Sequence, residues 1–322
     1  MSAIRTGIVM DPIAGIVPAK DSTLAMALEA QARGHELVCL EMPDLHIVES
    51  EARGRGKPLT VRDDLQDWFS LGEAEDMPLS DLDVILMRKD PPFDMEYIYA
   101  TYILERAELA GTLVVNRPAA LRDINEKAFT AWFPECAPST IITRNMQELR
   151  DFRDRHGRIV LKPLDGMGGQ GIFVVNQGDN NANVIFETLT QDGTAFAMAQ
   201  TFIPEITAGD KRIILVNGAT PDYALARVPD AGDNRGNLVM GATGTLHELT
   251  DHDRWICEQV GPELVSRGVM FAGLDVIGDY LTEVNVTSPT GIREIHKLAG
   301  VNLAATLMDA IEQEVSARRD AA

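Results

Sequence analysis

Cysteine is scarce in this 322-residue chain, with Cys39, Cys136 and Cys257 far apart and odd in number. No disulfide framework or zinc spacing can be built from them, so a reducing compartment, the cytoplasm, is expected. Cys39 sits in the apolar run 37–40 and reads as a core residue. Neither the cysteines nor the six histidines suggest a catalytic constellation. Basic residues are also few, 29 lysines and arginines against 49 acids, for a net charge of -20. Duplex nucleic acid and anionic membranes both need a basic face, so neither is expected as a partner. A small anionic ligand held by a few local cations stays open. No apolar run reaches the length of a membrane span, and the N-terminal one breaks at Asp11 without the flanks of a signal peptide. Internal repeats and low-complexity stretches are missing too.

What remains is a globular composition, 45% hydrophobic and 24% charged, long enough for two or three domains. Residues 4–10 read as a buried strand. Asp21-Ser22 cap a helix marked by Leu24, Ala27, Leu28 and Gln31 and stopped by Gly34, and residues 36–41 form a second strand. This order suggests a parallel α/β unit. Residues 49–80, with Gly54, Gly56 and Pro58, suggest an excursion from the sheet. A third strand at 83–88 runs into Lys89-Asp90-Pro91-Pro92 at the carboxyl end of the sheet, where such folds bind ligands. Arg88 and Lys89 beside Asp90 suit a substrate carboxylate and ammonium, or else a surface ion pair on a stiff turn. A helix near 95–110, a strand at 113–116 and a domain end near residue 122 follow. Residues 125–133 read as a short amphipathic helix stopped by Pro134, with Lys127 in a first turn that disfavours cations.

From residue 138 the texture becomes β-rich, with strands at 140–143, 159–162, 172–175, 196–203, 211–216 and 223–228. It resembles an antiparallel α+β module. Residues 229–245, glycine-rich and carrying Arg235, read as a lid. Helices near 250–267 and 299–318 complete the chain.

Two stretches carry chemistry. Gly166, Gly168, Gly169 and Gly171 satisfy the dinucleotide spacing G-x-G-x-x-G, but that reading requires a helix after the glycines. Residues 172–175 favour a strand instead. Strand, glycine loop, strand describes either a flap folding over phosphates or an ordinary hairpin. Further on, residues 271–286 read as a hairpin turning at Gly278-Asp279. Glu283 and Asn285, two apart, share one face and offer oxygen donors of the kind Mg²⁺ takes. Asp275 joins them only if it lies opposite Glu283, which requires a three-residue loop or an equivalent bulge.

Taken together, Lys127, Lys162, the glycine loop and Asp275 with Glu283-Val-Asn285 resemble the ATP-grasp pattern. Segments 7–12, 87–94, 161–169 and 281–289 narrow the resemblance to the bacterial glutathione synthetase family. It implies a pre-ATP-grasp α/β domain with a parallel sheet over 1–122. An α+β ATP-grasp domain follows over 123–322, its smaller lobe about 123–200 and its C-terminal lobe about 201–322. The implied activity is ATP-dependent ligation of γ-glutamylcysteine to glycine, with release of ADP and phosphate. The resemblance assigns ATP to Lys127, Lys162, Gly166, Gly168, Gly169, Gln200, Thr201, Phe202, Ile203 and Asp210. It assigns Mg²⁺ or Mn²⁺ to Asp275, Glu283 and Asn285, and catalysis to Arg212, Arg227 and Arg235, the first two on the transferring phosphoryl group and the acyl phosphate and the third within the lid. Substrates fall to Asp11, Arg88, Lys89, Asp90, Ser288 and Pro289, and a homo-oligomer, dimer or tetramer, is expected. The chain departs from the usual Gly-Gly after its Arg-Gly-Asn run, having Gly241-Ala242-Thr243. Rival readings are another ATP-grasp ligase, or a nucleotide-binding protein without catalysis.

Overall fold

The computed structural model describes residues 3–228 and 243–321. The N-terminal part comprises β1 (Arg5–Val9), α1 (Ser22–Ala32), β2 (Glu36–Leu40), β3 (Leu45–Val48), β4 (Glu51–Val61), β5 (Phe69–Leu71), β6 (Glu75–Pro78), β7 (Val84–Met87), α2 (Met95–Leu109), β8 (Leu113–Val115) and α3 (Pro118–Asp123). Both long helices start where the sequence supplies a cap. Asp21 accepts from Leu24 N at 2.6 Å and Asp94 from Tyr97 N at 2.9 Å. Strands β1, β2, β7 and β8 pair in parallel and are almost wholly buried.

Residues 49–80 do not leave the sheet. Strands β3 to β6 extend it antiparallel, β4 pairing with β2 through Leu37 opposite Leu59. Gly54 and Gly56 are not loop punctuation. A Cβ at Gly56 would stand 2.4 Å from Val38 Cγ1, and one at Gly54 2.9 Å from Leu40 Cδ2, so glycine there permits close packing on the core.

The middle of the chain forms β9 (Thr140–Thr143), α4 (Met146–His156), β10 (Arg158–Pro163), β11 (Phe173–Asn176), α5 (Ala182–Thr190) and β12 (Ala197–Thr201). Its sheet is antiparallel in the order β11-β10-β12-β9. One face, with Ile159, Leu161, Val175 and Ala199, packs on Leu149, Phe152 and Phe186 of the two helices. The opposite face carries Val160, Lys162, Val174 and Gln200. The period of two in a strand explains the division.

The C-terminal part holds β13 (Asp210–Val216), β14 (Tyr223–Val228), β15 (Thr243–Glu248), α6 (Asp251–Ser266), β16 (Phe271–Ile277), β17 (Tyr280–Asn285), α7 (Ile292–Ala299) and α8 (Leu303–Ala321). The expected last helix near 299–318 is α8, starting at Leu303; the sequence reading missed α7 before it, which ends at Gly300, whose φ is +72°. One sheet face, with Ile213, Leu215, Leu274 and Val276, meets Ile256 and Val260 of α6. The other is apolar at one end, where Ile214, Val216 and Phe271 meet Leu307 and Ile311 of α8, and polar at the other. That polar end is the site. Residues 229–242 of the expected lid lie outside the described residues.

Two devices join the parts. Asn116, following β8, donates to Phe271 O at 2.7 Å and Val286 O at 2.6 Å and accepts from Met270 N and Phe271 N, both at 2.9 Å. Its amide is fully used. Residues 125–133 are not an α-helix. A 3-10 turn spans Ala128–Trp132, because the preceding backbone pairs with β17, Glu126 O accepting from Val284 N at 2.8 Å. Lys127 lies before that turn rather than in a helical one.

Candidate active site

A cavity of about 310 Å³ opens between the four-stranded sheet and the polar end of the five-stranded one. Of the residues singled out from the sequence, it gathers Asp90, Lys127, Lys162, Gly166, Gly168, Gly169, Gln200, Thr201, Phe202, Ile203, Asp210, Arg212, Arg227, Asp275, Glu283, Asn285, Ser288 and Pro289. Three do not line it. Arg88 is buried behind the loop at 287–290, its Nη2 donating to Pro289 O at 3.0 Å and its Nε to Thr23 Oγ1 at 3.2 Å. Lys89 pairs with Asp11 at 3.0 Å, and Asp11 also accepts from Asp90 N. The group read as one charged cluster is therefore split, and only Asp90 faces the cavity. Arg235 lies outside the described residues. Sequence reasoning missed Glu126, Thr287, Thr290 and the apolar walls Val160, Ile172, Val174, Ile206 and Ile277. The alternation in β10 that places Lys162 in the cavity also places Val160 there, so that wall could have been read.

The glycine stretch is the antiparallel hairpin loop between β10 and β11. Gly168 and Gly169 have φ of +65° and +79°, a region that side chains disfavour. The acid hairpin resolves through a bulge. Its loop has two residues, Ile277 pairing with Tyr280, and a register shift after Asp275 brings Asp275 opposite Glu283. One extra residue, Thr282, converts a pairing that would separate the carboxylates into one that unites them.

Among the described residues, the cations lining the cavity are Lys127, Lys162, Arg212 and Arg227, and Glu126, Asp210, Asp275 and Glu283 face them. Arg212 grips Asp275 in bidentate fashion, Nε to Oδ1 at 2.5 Å and Nη2 to Oδ2 at 3.0 Å. Arg227 Nη2 reaches Asp275 Oδ2 at 2.9 Å and Asp210 Oδ2 at 2.5 Å. Burial alone would raise the Asp275 pKa, but the two guanidiniums outweigh it and hold the carboxyl well below its usual range. Asp210 shares Arg227 with that stronger partner, and burial pushes it up to about 7. Glu126, beside Lys127, is likewise raised to about 7 by burial and by Glu283. Lys127 also donates to Gly166 O at 2.6 Å and lies 3.7 Å from Glu283. Lys162 is 7% exposed and has no hydrogen-bond or ion-pair partner among the described residues; burial lowers its pKa.

A carboxyl whose pKa is raised on folding keeps a proton that the unfolded chain has released. Stability therefore falls as pH rises from the usual carboxylate range through about 7. His35, lowered by burial, acts in the opposite sense below its usual value, so the test is a comparison. In the nucleotide-free protein, Glu126→Gln should lose less stability than the parent between pH 6 and pH 8, roughly the span over which such a carboxyl titrates. Thermal melts across that range check it; parallel curves would remove Glu126 from the titration.

The donor set suits a hard divalent ion. Glu283 and Asn285 project from one strand edge with oxygen atoms, and the described lining already sets five acids, Asp90 included, against four cations, so added phosphates would bring uncompensated charge. Asp275 fits less well as a ligand, since both its oxygens serve arginines.

A cleft between two antiparallel sheets, with a glycine hairpin above and arginines and acids below, is the architecture of an ATP-grasp ligase. Solved members share the fold over nearly the whole chain. A D-cycloserine synthetase, DcsG, matches with TM-score 0.69 at 12% identity, covering 97% of this chain and 99% of its own. The ATP-grasp ligase PsnB, solved with a precursor variant, Mg and ADP, gives 0.63 at 17%, covering 96% and 98%. The chain belongs to the prokaryotic glutathione synthetase family, whose N-terminal domain model matches residues 4–122 and whose ATP-grasp domain model matches residues 126–300. The glutathione synthetase of Shewanella oneidensis is 58% identical over 309 residues, covering 96% of this chain and 98% of the relative. That of Escherichia coli K12 is 56% identical with the same coverage, and that of Pseudomonas putida 55% over 98% of this chain and all of the relative.

Proposed function

We infer that this enzyme forms glutathione by ATP-dependent ligation, and that each part of the cavity has a distinct task in it. The observation that carries the reading is the convergence of Lys127, Lys162, the glycine hairpin and the Glu283/Asn285 edge on one cleft in a chain of this family. A carboxylate is a poor electrophile. The substrate carboxylate of γ-glutamylcysteine takes the terminal phosphoryl group of ATP, giving an acyl phosphate and ADP. The amine of glycine then attacks the acyl carbon, forming the amide and releasing phosphate.

Such transfer requires alignment and neutralisation of the phosphoryl oxygens rather than a protein nucleophile. Lys127 and Lys162 contact the phosphates, and the loop with Gly166, Gly168 and Gly169 covers them. Val160, Val174 and Ile206 form an apolar slot for the base, which the main chain of Gln200, Thr201, Phe202 and Ile203 borders, with Asp210 near the ribose. Arg212 and Arg227 stabilise the transferring group, oriented by Asp275. Glu283 and Asn285, with Asp275 adjacent, would hold Mg²⁺ or Mn²⁺, which would supply neutralisation of phosphate charge. Asp90, Ser288 and Pro289 border the substrate end; Arg88 supports that loop from behind, and Lys89 with Asp11 braces Asp90. Arg235 is assigned to the lid. An outer face of α2 bearing Met95, Tyr99, Tyr102 and Leu109, 48–71% exposed, supports a homo-oligomer. The buried, unpaired cysteines are in keeping with a reducing cytoplasm.

The test is substrate-dependent ADP release. Purified enzyme with Mg-ATP, γ-glutamylcysteine and glycine should yield glutathione and one ADP per product. Turnover only on another carboxylate–amine pair would sink the substrate assignment. Glu283→Gln should abolish turnover with the fold intact, which a non-catalytic nucleotide binder would not register.

A further inference from the structure

We propose that Asn125 is a positioning residue that fixes the glycine hairpin over the phosphate end of the cleft and couples it to Lys127. Its amide bonds in two directions. Oδ1 accepts from Lys127 N at 3.1 Å and from Ala128 N at 2.9 Å, capping the 3-10 turn, while Nδ2 donates to Leu164 O at 2.9 Å, at the base of the glycine loop. Those partners fix the amide's orientation, since the backbone donors lie on one side and the carbonyl on the other.

The neighbours of Asn125 complete a bracket. Glu126 O accepts from Val284 N at 2.8 Å, between Glu283 and Asn285 in β17, and Lys127 Nζ donates to Gly166 O at 2.6 Å. Three consecutive residues thus touch the acid strand, the hairpin and the cavity. The hairpin needs such support. A loop with several glycines loses much backbone entropy when ordered, and the turn bond from Gln170 N to Met167 O is local to it. Asn125 anchors the loop's first carbonyl from outside the hairpin's own sheet, in the stretch between α3 and the 3-10 turn. Aspartate or serine would cap the turn equally well, but neither has an N–H for Leu164. Asparagine alone among the usual caps serves both ends.

This inference rests on the hairpin covering ATP. Its test therefore pairs a nucleotide-free measurement with a kinetic one. In Asn125→Ser and Asn125→Asp, amide hydrogen exchange across residues 164–172 of the free enzyme should quicken about three- to tenfold, the worth of one hydrogen bond. Residues 128–133 should exchange as in the parent, because the cap survives, and Asn125→Ala should loosen both segments. The KM for ATP should rise by a similar factor in the serine variant, with kcat little changed. The neutral serine variant separates loss of the tether from the added charge of aspartate. Unchanged loop exchange in both variants would overturn the proposal, as would faster exchange with an unaltered KM for ATP. Failure of the functional reading would appear elsewhere, as parent enzyme that releases no ADP.

Discussion

Replacing Lys162 with methionine should lower kcat/KM for ATP by at least about a hundredfold, roughly 2.7 kcal/mol of transition-state stabilisation, while leaving the fold as stable as the parent or more so. The two halves have one cause. Lys162 is held in the cleft with no hydrogen-bond or ion-pair partner among the described residues, and burial disfavours its charge. An ammonium desolvated without a counter-ion costs stability, so methionine, of similar length, removes a penalty. The same unpaired charge is what an incoming phosphate meets, and deleting one preorganised charge of this kind typically costs two to three decades in rate, about a hundredfold or more. The linkage has a definite sign. A lysine whose pKa is lowered on folding destabilises the protein while charged, so parent stability should rise with pH up to the unfolded value, and the variant should lack that rise. Thermal melts without nucleotide, alongside ADP-release kinetics, check both halves. A destabilised variant, or unaltered kinetics, would exclude Lys162 from the phosphate site.

Asp275→Ala should do the reverse to stability, with an equally severe loss of turnover. Arg212 and Arg227 both deliver guanidinium hydrogen bonds to Asp275, and all three side chains are nearly inaccessible. Removing the carboxylate strands the buried Arg212 and leaves Arg227 with Asp210 alone; breaking a buried pair in this way usually costs about 3–5 kcal/mol. Arg227 Nε and Asp210 Oδ1 already lack partners among the described residues, so little nearby can compensate. The control is the double variant Asp275→Leu/Arg212→Met, which removes the paired charges together. It should recover most of the lost stability, because Arg227 keeps Asp210 at 2.5 Å, and none of the turnover. Denaturant midpoints and ADP release on the three proteins separate the effects. Recovery of activity in the double variant would show that Asp275 merely supports the fold. Acid should confirm the strength of the pair. A carboxyl held this low keeps its contribution until the pH falls well below the range where ordinary carboxylates protonate.

The legible parts of the site were those written into short-range periodicity. Residues 172–175 favour a strand, and that preference alone turned a dinucleotide spacing into a hairpin loop. Lys162 follows Val160 by two, and Glu283 precedes Asn285 by two, so each pair shares a face in any strand. Glu126 gave no such signal, because its place depends on the Val284 N–Glu126 O bond across 158 residues of chain, from 126 to 284. Gly54 and Gly56 were misread for a related reason. A glycine that makes a turn and one that admits a neighbour's side chain look alike until the neighbour, here Val38 or Leu40, is in place.

Arg88, Lys89 and Asp90 show the limit most plainly. Adjacent in the chain, they pass to three environments: one buried behind Pro289, one paired with Asp11, one facing the cleft. Consecutive residues leaving a strand point in different directions, and only the packing of a second sheet decides which direction is the site. By itself, the sequence determined the class of chemistry, through the residue types it spends on phosphate and metal and through the glycines it places between two strands. The tertiary structure decided which acids meet which cations. The bulge at Thr282 places Asp275 opposite Glu283, and the crossing of two sheets leaves Lys162 without a hydrogen-bond or ion-pair partner among the described residues. Ionic pairing acts over a few ångströms, and distances that short between remote residues exist only once the chain has folded.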